Sequence, residues 1–308
     1  MNLPPFTVSA DLNLGNRVAP YILDGSARAD VRISEGEVPS ELPGATDHGP
    51  AFQIEGNRFL LNVPNGASYL VENGDTIIYR RNSASDREVA LFLLGSAWGA
   101  LCYQRDLLPL HASGVVANGR VFAFTGPSGS GKSTLAAAMA DRDLGFFTDD
   151  VLVINPDEIG RDKTICYAGQ KDMKLWADAL KLVDAEQGEQ VRDRDGFEKF
   201  FANPAAQVAD VSAQLDCIVL LKNENARTNK DPVAFERISG GKSLVSLRNS
   251  IYRQRFGLAI MGRQRMYSIL AKLIATVEIH EFDRPLAKQH FEATSGAMQQ
   301  WIASRASG

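Results

Sequence analysis

Residues 109–140 read PLHASGVVANGRVFAFTGPSGSGKSTLAAAMA. Within them Gly126–Ser133 fills the pattern GxxxxGK[ST]. RVFAFT leads in as a strand, and STLAAAMA leads out as a run of strong helix formers. In a strand–loop–helix unit of this kind, glycines let successive backbone N–H groups turn toward a phosphate, and the helix N-terminus adds a partial positive charge. Lys132 is placed for the β- and γ-phosphates and the Ser133 hydroxyl for Mg²⁺. Gly126, Ser128, Gly129, Ser130, Gly131 and Thr134 complete the expected nucleotide cradle.

Upstream, Asn118-Gly119 sits between SGVVA and RVFAFTG, the signature of a two-residue type I′ hairpin. If Ala117 faces Arg120, then Val115 faces Phe122, Ser113 faces Phe124 and His111 faces Gly126. An unbulged hairpin therefore delivers the His111 imidazole to the edge of the nucleotide site. The alternative is a hydrogen-bonded structural histidine, and one β-bulge would turn the ring away.

Downstream, Asp149-Asp150 follows GFFT at what should be the carboxyl end of a strand, the usual ligand side of α/β sheets. A phosphoryl transferase needs one carboxylate for Mg²⁺ and another to orient or deprotonate the attacking hydroxyl. Two aspartates at a strand end also make a solvated turn. The phosphate loop upstream favours chemistry.

The rest of the chain alternates strands and helices, as an α/β domain does. GFFT and DCIVLLK (216–222) read as strands, 241–256 and 263–277 as helices, VEIHEF as a strand, and a terminal helix follows Pro285. The helix after the phosphate loop is expected to stop near Gly145. Residues 1–85 read as a β-rich domain, with two-residue hairpin turns at Gly56-Asn57 and Asn73-Gly74 and a Pro/Gly/acid-rich loop over 30–50. Residues 86–106 read as a connecting helix with Asp86 as N-cap and Val89, Phe92, Leu93, Ala97, Ala100 and Leu101 on one face. Residues 107–308 form the domain built on the phosphate loop. Residues 184–200 are mostly charged and expected to be exposed.

Composition sets outer bounds. With 308 residues, 44% hydrophobic and 23% charged, the chain is globular, and its net charge of −4 gives no global attraction to nucleic acid or anionic membrane. Cys102, Cys166 and Cys217 form no CxxC pair, which argues against a disulfide framework and a zinc site. The start, MNLPPFTVSADLNLG, lacks a signal-peptide pattern, and no apolar run is long enough to cross a bilayer. A cytoplasmic protein is the expectation. The oligomeric state stays open, a homo-oligomer among the options.

The phosphate loop, the upstream Leu110-His111 and the Asp149-Asp150 pair before a hydrophobic strand together resemble the catalytic domain of HPr kinase/phosphorylase, over roughly residues 107–285. More narrowly, the chain resembles the shorter HPr-kinase-like proteins that phosphorylate a serine of lasso-peptide precursors. The resemblance implies a P-loop fold of the HPr-kinase/PEP-carboxykinase type with a small mainly-β N-terminal domain. It implies ATP and Mg²⁺ as cofactors, and a peptide or small protein with an acceptor serine as substrate. By position, Lys132 and Ser133 match the nucleotide and magnesium residues, Asp150 the carboxylate that accepts the serine proton, and His111 the active-site histidine. Asp149 is placed to help with the metal.

The chain departs from that family where a Glu-x-Arg segment supplies a second metal carboxylate. Here Asp172-Met173-Lys174 is the closest match, without the arginine; it makes Asp172 a candidate metal ligand and Lys174 a candidate for substrate or phosphate. Arg248 and Arg253 compete for a further family arginine. Both belong to a stretch from Arg237 to Lys272 with eight cations and no acid. Such a stretch can hold phosphates or an acidic peptide, or simply form solvated helix faces. No NKxD motif follows the loop, which favours ATP over GTP.

Two other readings have a sequence basis. ISGGKSL (238–244) is similar to an ABC-type signature, but no hydrophobic strand ending in Asp-Glu follows it. A non-catalytic nucleotide-binding module that presents a peptide to partner enzymes would keep the loop and need no base.

Overall fold

The computed structural model of the chain describes residues 4–22, 28–160, 163–183, 185–192, 196–204, 206–208, 210–222 and 233–306. Residues 1–3 of the N-terminal stretch and residues 184 and 193–195 of the charged stretch lie outside them.

The strand entering the phosphate loop, Arg120–Thr125, pairs antiparallel with Ala112–Ala117 in continuous register, from Arg120↔Ala117 to Thr125↔Ala112. Asn118 and Gly119 between them have φ of 49° and 74°, the positive pair that a type I′ turn requires. On its other side Arg120–Thr125 runs parallel to Ser212–Lys222, which runs parallel to Glu278–Asp283. Gly145–Thr148 pairs antiparallel with Ala112–Ala117, so it points the same way as Arg120–Thr125. The carboxyl ends of four strands and the amino end of a fifth thus share one edge, where α/β sheets collect ligands. Leu108–Leu110, Leu152–Ile159, Thr164–Ala168 and Ala234–Ile238 complete a nine-stranded sheet.

Strand alternation divides the core. Phe122 and Phe124 join the helices Lys132–Ala140 and Phe291–Ala306 in one apolar cluster. Val121 and Ala123 face the other cluster, with Trp98, Leu247 and Ile269. Both faces of the central strands are covered, so CIVLL in Ser212–Lys222 reads as an unbroken apolar run.

The N-terminal region forms a seven-stranded sheet in the order Val8–Ala10, Val31–Glu35, Thr76–Arg80, Ser68–Glu72, Arg58–Asn62, Phe52–Glu55, Asp47–His48. Its apolar face belongs to the same cluster as the larger sheet. Between them runs a continuous helix of Asp86–Phe92, a π turn Leu93–Ala97, and Trp98–Gln104. Every residue from Leu93 to Tyr103 is buried. Among the described residues no helix is long and apolar enough to cross a membrane. All three cysteines are buried and free.

Several local expectations are corrected. Residues 30–50 are not all loop, because Val31–Glu35 is a strand with Val31 and Ile33 turned inward. Glu55↔Arg58 leaves a two-residue turn at Gly56-Asn57, but Glu72↔Thr76 leaves three residues at Asn73–Asp75. The helix cap is Ser85, whose side chain accepts from the Glu88 N–H at 3.4 Å, and Asp86 is the first helical residue. The helix after the loop ends at Ala140, and Gly145 opens a strand. Helix 241–256 is interrupted after Asn249, because Ile251 bridges Leu110 and Arg253 turns to φ 48° before Gln254–Ile260 begins. The charged stretch contributes Gln187–Gln190 and Lys199–Ala202 to a small sheet with Met173–Trp176.

Candidate functional site

The shared strand edge opens into a pocket of about 340 Å³. Ser128, Gly129, Gly131, Lys132, Ser133 and Thr134 line it from the phosphate loop, facing His111, Asp149, Asp150 and Lys174. Glycine is required at two loop positions. A Cβ on Gly126 would lie 2.8 Å from the Leu221 carbonyl oxygen, and Gly131, at φ 79°, would press one against Arg284 at 2.9 Å. Ser130, within the loop, is fully buried. The Lys132 ammonium donates to the Gly126 and Pro127 carbonyls at 3.0 and 3.1 Å. Burial lowers its pKa, and the charges of Asp149 and Asp150 oppose that shift.

The two aspartates take separate partners. Asp149 is 2% exposed; its Oδ1 accepts from Ser133 Oγ at 2.8 Å and Ser113 Oγ at 2.6 Å, and its Oδ2 from the Lys174 backbone N–H at 3.2 Å. Asp150 adopts φ 69°, a left-handed conformation that aspartate tolerates better than most residues. Its carboxylate lies 3.2 Å from His111 Nδ1 and 3.9 Å from Lys174 Nζ. Burial pushes this carboxyl up, but the hydrogen bond from His111 and the charges of Lys174, His111 and Lys199 outweigh it, holding the group well below the usual carboxylate range. His111 Nδ1 also lies 3.0 Å from the Asp150 carbonyl oxygen. A carbonyl only accepts, so Nδ1 carries a proton.

His111 is fixed through its backbone. Its N–H donates to the Ser250 carbonyl at 2.7 Å, its carbonyl accepts from Thr125 Oγ1 at 2.9 Å, and its ring lies 5.9 Å from the Tyr252 ring. The hairpin register ends at Thr125↔Ala112, so His111 and Gly126 are the residues that immediately follow the last pair.

Other candidates fall elsewhere. Asp172 is not among the pocket-lining residues; its carboxylate binds Arg17 Nε at 2.7 Å. Burial raises its pKa, with Arg17 opposing. Arg248 and Arg253 are likewise not brought into this pocket.

Two residues escape the motif reading. Arg284 follows Glu278–Asp283 directly, is 4% exposed, and donates to the Ser130 carbonyl at 2.8 Å. Its Nε finds no partner, and burial pushes its pKa down to about 10. Lys199 reaches the pocket from the small sheet. The only signal for Arg284 was its place after a predicted strand end; Lys199 had none. Five cationic side chains (Lys132, Lys174, Lys199, Arg284, Lys288) face three carboxylates (Asp149, Asp150, Asp178) here, a local positive excess in a net-acidic chain. Trp176 and Leu286, 47% and 43% exposed, flank the pocket with apolar surface.

No protein-family model matches the chain, and no curated protein does. Among solved structures it is similar to the Hpr(Ser) kinase/phosphatase from Coxiella burnetii. That match has 14% identity and a TM-score of 0.33, and covers 64% of this chain and 97% of that one.

Proposed function

We propose that the chain is an ATP- and Mg²⁺-dependent kinase that phosphorylates a serine hydroxyl of a peptide or small protein, with lasso-peptide precursors as the favoured class. The observation that carries this reading is the separation of the aspartates: Asp149 is bound to the loop serine, and Asp150 is turned to His111 and Lys174. A phosphoryl transferase needs these two roles. The lasso-peptide class rests on the motif resemblance.

The oxygen donors suit magnesium. Ser133 Oγ and Asp149 Oδ1 lie 2.8 Å apart beside the loop. Among the described residues no group of three or more His, Cys, Asp or Glu side chains is gathered as a metal cage. Mg²⁺ commonly takes one or two protein oxygens and keeps water and phosphate oxygens. When bound there it would neutralise charge on the β- and γ-phosphates.

The chain's own residues do the rest. Backbone N–H groups of Gly129–Ser133 and the start of helix Lys132–Ala140 hold the phosphates. Lys132 exchanges its carbonyl partners for phosphate oxygens, and Arg284 and Lys199 add charge. Asp150, held ionised, accepts a hydrogen bond from the serine hydroxyl and aims it at the γ-phosphorus. Because phosphoryl transfer passes through a loose transition state, orientation matters more than early proton removal, and a weakly basic carboxylate suffices. His111 and Lys174 keep that carboxylate in place.

The test is incubation with γ-labelled ATP, Mg²⁺ and serine-containing peptides, comparing wild type with Asp150→Asn by mass spectrometry. Phosphoserine from the wild type alone is expected. Nucleotide binding without transfer from either protein would replace the kinase reading with a non-catalytic binding module.

A further inference from the structure

We propose that a second cleft, where the N-terminal sheet meets helix Gln254–Ile260, docks a segment of the acceptor polypeptide that pairs an apolar side chain with acidic neighbours; this rests on the kinase reading. The cleft measures about 530 Å³, and Phe52, Phe92 and Phe256 supply its apolar surface. The Phe52 and Phe256 rings meet edge-on at 4.8 Å.

Charge identifies the occupant. Arg192, Arg253 and Arg255 line the cleft and no Asp or Glu does, although the chain carries a net −4. Arg255 is engaged by Asp47 at 2.5 Å. Arg192 and Arg253 have no carboxylate partner among the described residues and rest on aromatic faces, Arg192 over Phe92 at 5.1 Å and Arg253 over Tyr252 at 5.7 Å. Arg253 is exposed and holds φ 48°. A non-glycine residue kept in that region by its surroundings is a recurring mark of ligand clamps. Guanidinium groups over aromatic rings, with no carboxylate partner, select carboxylates; the aromatic surface selects an apolar anchor.

Position ties the cleft to the chemistry. Arg253 lies 5.7 Å from the Tyr252 ring, and Tyr252 lies 5.9 Å from the His111 ring, which holds Asp150. At about 3.3 Å per residue an extended segment of about four residues spans that distance. In this proposal a peptide anchored in the cleft presents its serine to Asp150. A nucleic acid would instead need a longer basic track, against the chain's net charge.

The probe is a fluorescein-labelled library of twelve-residue peptides. Each has one fixed serine, and its flanks are drawn from acidic–aliphatic, basic–aliphatic or neutral sets. Anisotropy reads binding without nucleotide, and mass spectrometry with Mg²⁺-ATP reads phosphorylation. The full-length wild type is expected to bind acidic–aliphatic peptides at least about tenfold more tightly than basic ones. Selection should peak about four residues from the serine. The double variant Arg192→Glu/Arg253→Glu should lose or invert that preference with unchanged ATP affinity, and Arg192→Gln/Arg253→Gln should lose it without inversion. Binding without charge preference, a preference that survives in both variants, no binding by any set, or a fall in ATP affinity with the peptide preference intact overturns the docking site. Charge-selected binding with no phosphate transfer supports the site and removes the kinase reading. Unselective peptides that are still phosphorylated do the reverse.

Discussion

Replacing Arg284 by methionine should move two properties in opposite directions. The guanidinium is 4% exposed, has one hydrogen bond, to the Ser130 carbonyl, and leaves Nε unpartnered. No carboxylate compensates it among the described residues. A buried cation in that condition carries a desolvation penalty of several kcal/mol, on the order of what a paired anion would restore. Methionine has a similar length and no charge. It gives up a charged hydrogen bond worth about 1.5–3 kcal/mol and relieves a penalty of at least that size. The nucleotide-free protein should therefore melt at the same temperature as wild type or higher. The nucleotide complex loses a charge-assisted contact of about 1.5–3 kcal/mol, which weakens ATP binding roughly 10- to 150-fold. Calorimetric titration with ATP, together with thermal melts with and without nucleotide, reads both quantities. A large drop in the melting temperature of the free protein with unchanged ATP affinity would refute the reasoning and make Arg284 a structural clamp on the loop.

Three further outcomes are expected. Asp150→Asn should lower phosphate transfer by about 10²- to 10⁴-fold while ATP affinity stays within a few-fold of wild type, checked by single-turnover kinetics and titration. Asp149→Asn should raise the Mg²⁺ concentration needed for half-maximal nucleotide binding by about tenfold or more, with less change in metal-free binding; equal losses with and without Mg²⁺ would contradict the assignment. Lys171 is buried, donates to the Phe147, Val208 and Asp210 carbonyls, and has its pKa lowered to about 8 by burial. Between that value and its higher unfolded value the unfolded chain binds more protons, so this group makes stability rise with pH across the window. Its full penalty, about 3 kcal/mol, is present below pH 8. Lys171→Met should flatten that part of a denaturant-midpoint-against-pH curve.

What the sequence makes legible is what depends on neighbours in the chain. The Asn118-Gly119 turn sets the hairpin register, whose last pair, Thr125↔Ala112, lies next to Gly126 and His111. The loop and the aspartate pair are likewise contiguous strings of residues. Pairings across long separations are not legible. Val31–Glu35 sits between two parallel partners, Val8–Ala10 and Thr76–Arg80, and its two inward valine and isoleucine side chains are too few to stand out among Pro, Gly and acids. Arg284 acquires its role from a carbonyl 154 residues away. Asp172 looks like a metal ligand beside Lys174, yet Arg17 of the turn Gly15–Tyr21 claims it. Asn73-Gly74 has the composition of a two-residue turn, but Gln104 and Arg105 bind the turn at the Gly74 N–H and carbonyl, and three residues are spanned.

The helix from Asp86 to Gln104 also constrains how the polypeptide can be made. Its enclosure from Leu93 to Tyr103 draws on residues before it, such as Phe6 and Tyr21 against Trp98, and on residues far behind it. Tyr252 lies against Gly99, and Met266 beside Tyr103 closes around Gly257. At ribosomal speeds of about 5–20 residues per second, roughly ten to thirty seconds pass between emergence of the helix and of those later partners. For that interval the nascent chain carries an apolar rod with one side uncovered, a natural substrate for a holding chaperone. The buried face of the N-terminal sheet belongs to that same apolar cluster, so its cover too is completed only by residues made later.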